Sequence, residues 1–423
     1  MRLSKARSSL EQNWLEHVRK YPSFQSKPDP GLFDHQVVSR STLRRFGSFL
    51  PFLQRFSGLF ISPPNSDSAN PYKVWEKTGE THTPALPQSL LDQPIHDTFY
   101  DYHPSFSSRS SFVLQISGGS FHGHDHTLFD QHFRPIDWEP PYWALNCGLP
   151  GTLFRKRLPR RKKLEGSALV LSAPAGGGNI WHFLFDSLPK IKLVQDAGMS
   201  LHDFDHVLID SFKMPYVVEA LEVLGIDRKR VLETETHPLI TADQLTYVTL
   251  GCLLPPDPWV LYWLRSVFLK DFAPAKPPKR KIFISRAGAT RRRLHGEETI
   301  VQQLQRDGFE AIALENLSLL EQVALMSEAK AIVASHGAGL TNLVWCPPDT
   351  KVVELFAAEY VNVCYWNISQ MLRLDYAFAL GEPTLGQTLP PRAVLDMNRL
   401  RADQVFTDQN ILVERILRFT SAQ

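Results

Sequence analysis

The sequence predicts an α/β protein of two parallel-sheet units with an irregular N-terminal extension, and three observations carry that expectation. Strand-like and helix-like runs alternate strictly after Gly166, and a proline-rich segment, Ala273-Pro-Ala-Lys-Pro-Pro-Lys-Arg280, divides the alternation in two. The second half also carries a small-residue turn, Ser335-His-Gly-Ala-Gly-Leu-Thr-Asn342, at the end of an apolar run. Strict alternation implies parallel strands covered on both faces by their crossover helices. Two such units joined by a stiff linker make a cleft, and the turn falls at the carboxyl end of a strand, where such sheets bind ligands.

Taken in order, residues 1–105 read as an extension with few confident elements, rich in Ser, Pro and Asn around Ser62–Asn70 and near Thr81–Pro94. Within it, residues 43–60 place Leu43, Phe46, Phe49, Leu50, Leu53, Phe56 and Phe60 beside Arg44, Arg45 and Arg55. That is the pattern of a helix packed on the protein's own core, with peripheral membrane contact as the functional alternative. The run is broken by Pro51 and is shorter than the roughly 20 apolar residues a spanning helix needs.

Residues 106–273 read as the first unit. Alternation from Ser111 to about Phe133 suggests hairpins carrying His122, His124 and His126, which read as a solvated turn rather than a metal site. The basic run at 155–163 reads as a solvated loop or a contact with an anionic membrane surface. No aromatic residues interleave with it, which argues against nucleic acid. Strands are then expected at 168–172, 206–210 and 245–250, and helices at 179–198, 214–225 and 258–271.

Residues 274–280 form the linker, where prolines forbid both helix and central strand. In the second unit, 281–380, strands are expected at 281–285, 309–315, 331–335 and 351–356, with helices at 297–307, 318–329 and 340–345. A tail, 381–423, ends in a helix over about 403–419 that packs back across both units.

Composition limits the function. A chain of 423 residues with 43% hydrophobic and 11% aromatic content has ample core, and a formal charge of +2 excludes polyanion binding by bulk charge. Cys147, Cys252, Cys346 and Cys364 form no CxxC pair, so they read as free thiols in a reducing compartment, and the expected location is cytoplasmic.

Three groups of residues carry chemistry. Gly337 and Gly339 let backbone approach an anion closely, and the N–H groups of Ala338 and its neighbours open the next helix toward it. Arg286 follows the strand Lys281–Ser285, and Arg291, Arg292 and Arg293 follow it; guanidinium forks suit phosphate oxygens. Asn179, His182 and Asp186 share one helical face among bulky apolar neighbours, where polar groups need a partner or a task. Glu354 lies inside the apolar run Val352-Val-Glu-Leu-Phe356, where an unpartnered carboxylate is costly. Asp203-Phe-Asp205 precedes a strand rather than following one, which sets it on the wrong edge for a metal site.

These residues carry a resemblance. Gly178-Asn-Ile-Trp-His-Phe-Leu-Phe-Asp-Ser-Leu-Pro189, Phe283-Ile-Ser-Arg286 with Arg291–Arg293, Ser335–Asn342 and Val352–Phe356, in that order, resemble glycosyltransferase family 61, and its bacterial-type members in particular. The resemblance implies a GT-B-like architecture of two Rossmann-like domains facing a cleft, with the acceptor on the first and the nucleotide-sugar on the second. It implies an inverting, metal-independent transfer from a UDP-linked donor to an oligosaccharide or lipid-linked glycan, with no cofactor, in surface polysaccharide synthesis at the inner face of the membrane. The chain has Gly296 where relatives have Asn before the acidic pair Glu297 and Glu298.

On that footing His182 and Asp186 are the expected base and its orienter, in either assignment, with Asn179 beside them. Ser285, Arg286, Arg291, Arg292, His336, Gly337, Ala338, Gly339 and Asn342 are the expected diphosphate contacts, and Glu354 the expected ribose contact. Two rival readings stand beside this one. In the first, Gly337 and Gly339 with Glu354 form an incomplete dinucleotide fingerprint of an NAD-dependent oxidoreductase. In the second, the chain is a catalytically inactive glycan-binding relative.

Overall fold

The computed structural model describes residues 72–136 apart from 102, 104 and 109, together with 158–250, 255–272, 278–383 and 402–422. The apolar face at 43–60, Cys147, Cys252, the start of the basic run at 155–163 and most of the linker lie outside these residues.

The described residues are α/β, built on two large sheets and a separate two-stranded ribbon, Thr81–His82 with Phe106–Ser107. The first contains β1 (Lys73–Lys77), β3 (Ser111–Ser117), β4 (Ser120–His122), β5 (Thr127–Phe129), β6 (Pro135–Ile136), β7 (Lys162–Val170), β8 (His206–Ile209), β9 (Val231–Glu233) and β10 (Leu239–Thr249). β9, β8, β7 and β10 run parallel in that order, as alternation predicts. The sheet as a whole is mixed, however, because β10 continues into antiparallel β3 and β4, and β4 into β5 and β6. β4, β5 and β6 are joined by a few residues, too few for a parallel crossover, whereas β3 and β4 meet β10 by long-range pairing.

The second sheet is parallel throughout: β12 (Phe309–Ile312), β11 (Arg280–Ile284), β13 (Ala329–Ser335), β14 (Lys351–Phe356), β15 (Asp375–Leu380) and β2 (Gln88–Ser89). Successive side chains leave opposite faces of a strand. Phe283, Val333, Val353 and Leu355 therefore enter one core with Ile300 and Leu304, while Ile282, Ile284, Ile332, Val352 and Phe356 enter the other. Glu354 has the same parity as Val352 and Phe356, which puts it on the second of these faces.

Helices follow the strands. They are α1 (Ile180–His182), α2 (Pro189–Asp196), α3 (Pro215–Val223), α4 (Pro258–Phe268), α5 (Glu297–Arg306), α6 (Leu319–Ser327), α7 (Cys364–Met371) and α8 (Gln409–Ser421), with a 3-10 helix at Ala338–Trp345. The last of them, α8, spends its apolar face, Leu412, Val413, Ile416 and Phe419, on the second unit beside α5 and β14. Its packing is thus local to that unit, where the sequence suggested a strap across both.

One buried cluster joins the two sheets, running from Leu169 and Val207 through Leu184 and Leu264 to Leu340, Trp345 and Phe378. Polar ties cross the same boundary. Glu219 on α3 accepts from Leu319 N at 2.8 Å, and Arg265 on α4 donates to the carbonyls of Val344 and Cys346 at 2.6 and 2.8 Å. The extension is more ordered than its composition suggests. β1 pairs with β3, and β2 adds the edge strand to the second sheet, so residues 73–89 reach both units.

Candidate active site

The first group forms at the carboxyl end of β7. Asn179 caps α1 by accepting from Trp181 N at 3.0 Å. Between α1 and α2 the helix widens into a π turn, Phe183–Ser187, closed by Leu188 N to Phe183 O at 3.1 Å. Pro189 has no N–H to give to the Phe185 carbonyl, so the ordinary ladder must break here, and one extra residue per turn absorbs the break. His182 and Asp186 stay on one face and meet at 2.6 Å, Nδ1 to Oδ2. His182 is 6% exposed and Asp186 1%. Nδ1 donates to the carboxylate, which makes Nε2 the basic nitrogen of the ring. Burial pushes the Asp186 carboxyl above the usual range, with His182 and Lys190 pulling the other way.

The second group forms where β11, β13 and β14 end. His336 leaves β13 with Nδ1 at 2.5 Å from Glu354 Oε1, and Tyr376 donates its hydroxyl to Oε2 at 2.6 Å. Glu354 is fully buried and both its oxygens are engaged, so the ribose contact expected of it is not what the structure builds. It holds His336 instead. The same burial denies the dinucleotide reading its acidic residue. Phe356, Tyr360 and Tyr365 surround the His336 ring at 5.2, 5.3 and 5.4 Å. Burial draws the imidazole below its ordinary value despite Glu354, with Arg292 and Arg286 acting in the same direction as burial.

Arg286 approaches from the end of β11. Its guanidinium packs on Gly337 so closely that a Cβ there would collide with it, which explains the glycine without appeal to backbone angles. Arg286 also donates to the Arg291 carbonyl at 3.1 Å, while its Nε is buried with no hydrogen-bond partner. Arg292 is in the left-handed region at φ 52, an uncommon place for a side chain this long, and its guanidinium lies over Tyr360 at 5.6 Å. Its Nε is likewise buried without a partner. Two guanidinium groups repelling each other in a half-buried site, neither side chain hydrogen-bonded to a carboxylate among the described residues although Glu297 and Glu315 act on Arg286 from farther off, suit an anion.

The remaining predicted residues divide. Arg291 is exposed and offers this group only its carbonyl, and Arg293 is paired with Asp403 at 3.0 Å. Ser285 gives its hydroxyl to Glu297 at 2.5 Å, and Glu297 also receives Arg286 N, so this pair fixes the arginine loop. Gly296 opens α5 at φ +71, a conformation glycine adopts at no steric cost, and Glu297 takes over the ordering of the loop. Ala338 and Gly339 open the 3-10 helix. Asn342 is buried inside it, holding Gln322 at 2.8 Å and Trp345 at 3.0 Å, which makes it a brace and not a ligand contact.

Sequence reasoning missed the aromatic bridge. Trp181, beside His182, meets Tyr365 edge-on at 5.3 Å, and Tyr365 touches His336. Trp181, the residue before His182, thus ties α1 through Tyr365 to the group around His336. A detectable signal existed: Tyr360 and Tyr365 follow β14 directly, and segments after parallel strands carry sites.

Other candidates are placed elsewhere. Asp203 closes a capping box with Ser200, and Asp205 accepts from Ser167 N at 2.8 Å, both before β8. His122 lies beside Asp125 at 3.2 Å, and among the described residues no three His, Cys, Asp or Glu side chains gather for a metal. A cavity of about 360 Å³ lies at the opposite end of β14 and β15. Its Lys351 and Arg415 are already paired with Asp375 and Asp92 at 2.5 and 2.8 Å, and Arg418 on its wall is exposed. Cys346 and Cys364 are free and buried, the Cys346 thiol pushed up to about 12. No helix of the described residues is long and apolar enough to cross a membrane.

Comparison with known proteins bears on this arrangement. Residues 180–353 match the family model Glycosyltransferase 61. The matched span holds His182, Asp186, Arg286, Arg292, His336 and Gly337, and is less than half of the chain. A beta-1,2-xylosyltransferase of Oryza sativa is 38% identical over 61 residues, 14% of this chain and 11% of that protein. An EGF domain-specific O-linked N-acetylglucosamine transferase of Drosophila melanogaster is 29% identical over 108 residues, 24% and 21% of the two. A beta-1,2-xylosyltransferase of Arabidopsis thaliana is 32% identical over 76 residues, 17% and 14%. The matched segments span between 11% and 21% of these relatives, which are plant and insect proteins, not bacterial ones.

Proposed function

We propose that this chain is an inverting, metal-independent glycosyltransferase of GT-B type, moving a sugar from a UDP-linked donor to a glycan acceptor. The observation that carries the reading is the pair of buried, unpartnered guanidinium nitrogens of Arg286 and Arg292, the first of them packed on Gly337, in a group whose Tyr365 meets Trp181, the residue before His182. In the reaction the acceptor oxygen bonds to the anomeric carbon as the bond from that carbon to the diphosphate breaks. His182 Nε2 takes the acceptor proton while Asp186 holds Nδ1, and the charge growing on the departing diphosphate meets the two arginines and the N–H groups of the Gly337 turn. One base suffices, because a single displacement inverts the centre.

The similarity to Glycosyltransferase 61 and to xylosyl- and N-acetylglucosaminyltransferases supports the same class. It makes UDP-xylose and UDP-N-acetylglucosamine the first donors to try. An oligosaccharide or lipid-linked acceptor in surface polysaccharide synthesis, met at the inner face of a membrane through residues 43–60 and 155–163, completes the proposal. The test is a panel of UDP-sugars incubated with the full chain in EDTA, with the product anomer read by NMR. Slow hydrolysis or transfer with inverted configuration is expected. Retention of configuration, a strict metal requirement, or binding of NAD in preference to UDP would overturn the reading.

A further inference from the structure

A second buried charge lies under the His182 helix, one turn beyond Asp186. His182, Asp186 and Lys190 are spaced four residues apart, on one face of the helical run. Lys190 is only 4% exposed, although lysine is almost never buried without a partner. Its ammonium donates to the Ser172 carbonyl, lies 5.5 Å from the centre of the Tyr247 ring, and interacts electrostatically with Asp210 and then Asp186.

Asp210 is itself built in. It accepts from Ser172 Oγ at 2.5 Å and Ala173 N at 3.1 Å, and Gly176 and Gly177 pack so tightly over it that a Cβ on either would sit 2.7 or 2.8 Å from its atoms. His126 lies 4.0 Å away. Asp186 uses one oxygen on His182, and its other oxygen is buried with no hydrogen-bond partner. Half of a buried carboxylate is therefore left without a donor, and an interior of low dielectric makes the Lys190 charge strongly felt there.

We infer that Lys190 is a positioning residue for the transfer: its ammonium, held on the carbonyl of the same Ser172 that binds Asp210 and one helical turn from Asp186, keeps Asp186 ionised and aimed at His182 Nδ1. The alternative job for the same side chain is a tether for the Ser172 carbonyl, which would need no charge on Asp186. Two other features agree with the electrostatic role. Burial brings the Lys190 ammonium down to about 8, so it remains largely protonated at neutral pH, and the Asp186 carboxyl would rise further without it. The Gly176–Gly178 approach to Asn179 passes over Asp210, so the network also links the start of the helix to the couple it presents.

This inference rests on the transferase reading, and the experiment separates the two. Full-length wild type, Lys190→Met and Lys190→Ala are compared by steady-state kinetics, and the imidazole Nδ1 proton of His182 is followed by NMR, assigned as the resonance lost in His182→Gln. Lys190→Met keeps the volume and removes the charge. It is expected to lower kcat about tenfold, the effect of roughly one pKa unit at the couple, with the donor KM unchanged, and to shift the His182 resonance upfield. In Lys190→Ala, ethylammonium is expected to restore part of kcat and ethanol none. A wild-type kcat and unmoved resonance in Lys190→Met would overturn the proposal, and so would a loss shared by kcat and KM that ethylammonium does not restore. Should wild type transfer no sugar, the functional reading falls while the His182 resonance still decides the role of Lys190.

Discussion

The two units each carry a buried imidazole–carboxylate couple of nearly equal length, His182–Asp186 at 2.6 Å and His336–Glu354 at 2.5 Å, yet the couples are finished differently. Glu354 has a second donor in Tyr376, and its ring partner is walled by three aromatics, so every polar atom of that carboxylate is satisfied. Asp186 has an oxygen with no donor, and its burial is offset by His182 first and by the charge of Lys190 after it. A closed couple holds its shape and supports the Gly337 turn; an incomplete one is poised to gain from a proton arriving on the imidazole. Equal distances therefore do not imply equal roles.

The largest expected difference between the couples is kinetic. Replacing His182 with Gln should lower kcat by about 10²–10⁴, the usual worth of a general base, and leave UDP affinity within about twofold on this account's division of labour. Replacing His336 with Gln should act mainly on donor affinity. Single-turnover kinetics with separate UDP titrations check both, and a UDP affinity lost equally in the two variants would erase the distinction.

Stability should divide the couples the other way. Glu354→Leu strands the His336 ring and the Tyr376 hydroxyl in a dry core and should cost about 3–5 kcal/mol. Asp186→Leu removes a carboxylate that burial already disfavours, so urea midpoints should place it well short of Glu354→Leu.

A smaller effect belongs to the first unit alone. Burial brings His126 down to about 3 from an ordinary 6.5, so the unfolded chain binds the extra proton between those values, and stability falls as pH drops below about 6.5. Between pH 7 and pH 5 the loss from this group should be about 2 kcal/mol. His126→Gln should flatten, without abolishing, that slope, because His336 is drawn down by burial as well. An unchanged slope would mean that His126 is not buried neutral.

Much of this was readable from the sequence because periodicity and turn chemistry are local. The apolar runs of β11, β13 and β14 announce buried parallel strands, and Gly337 announces a close approach, though not that Arg286 is what approaches it. The two-residue strand β2 has no pattern of its own to detect. The mixed character of the first sheet depends on which edge β3 and β4 join, a long-range choice. Glu354 needs a partner on its apolar context alone, but its partners, His336 and Tyr376, come within reach only through the pairing of β13, β14 and β15. Lys190, directly after Pro189, has the sequence pattern of an ordinary exposed helix residue, and Asp210, 20 positions later, joins its network only in the fold.

Arg286 and Arg292 each keep a buried nitrogen without a hydrogen-bond partner, and on the reading proposed above those nitrogens meet a diphosphate. Calorimetric titration of UDP and of uridine into wild type, Arg286→Ala and Arg292→Ala tests it most directly. Each loss of a charge-assisted contact should weaken UDP binding about 10- to 100-fold, and uridine binding hardly at all. UDP affinity unchanged in both variants, or UDP and uridine weakened together, would contradict it.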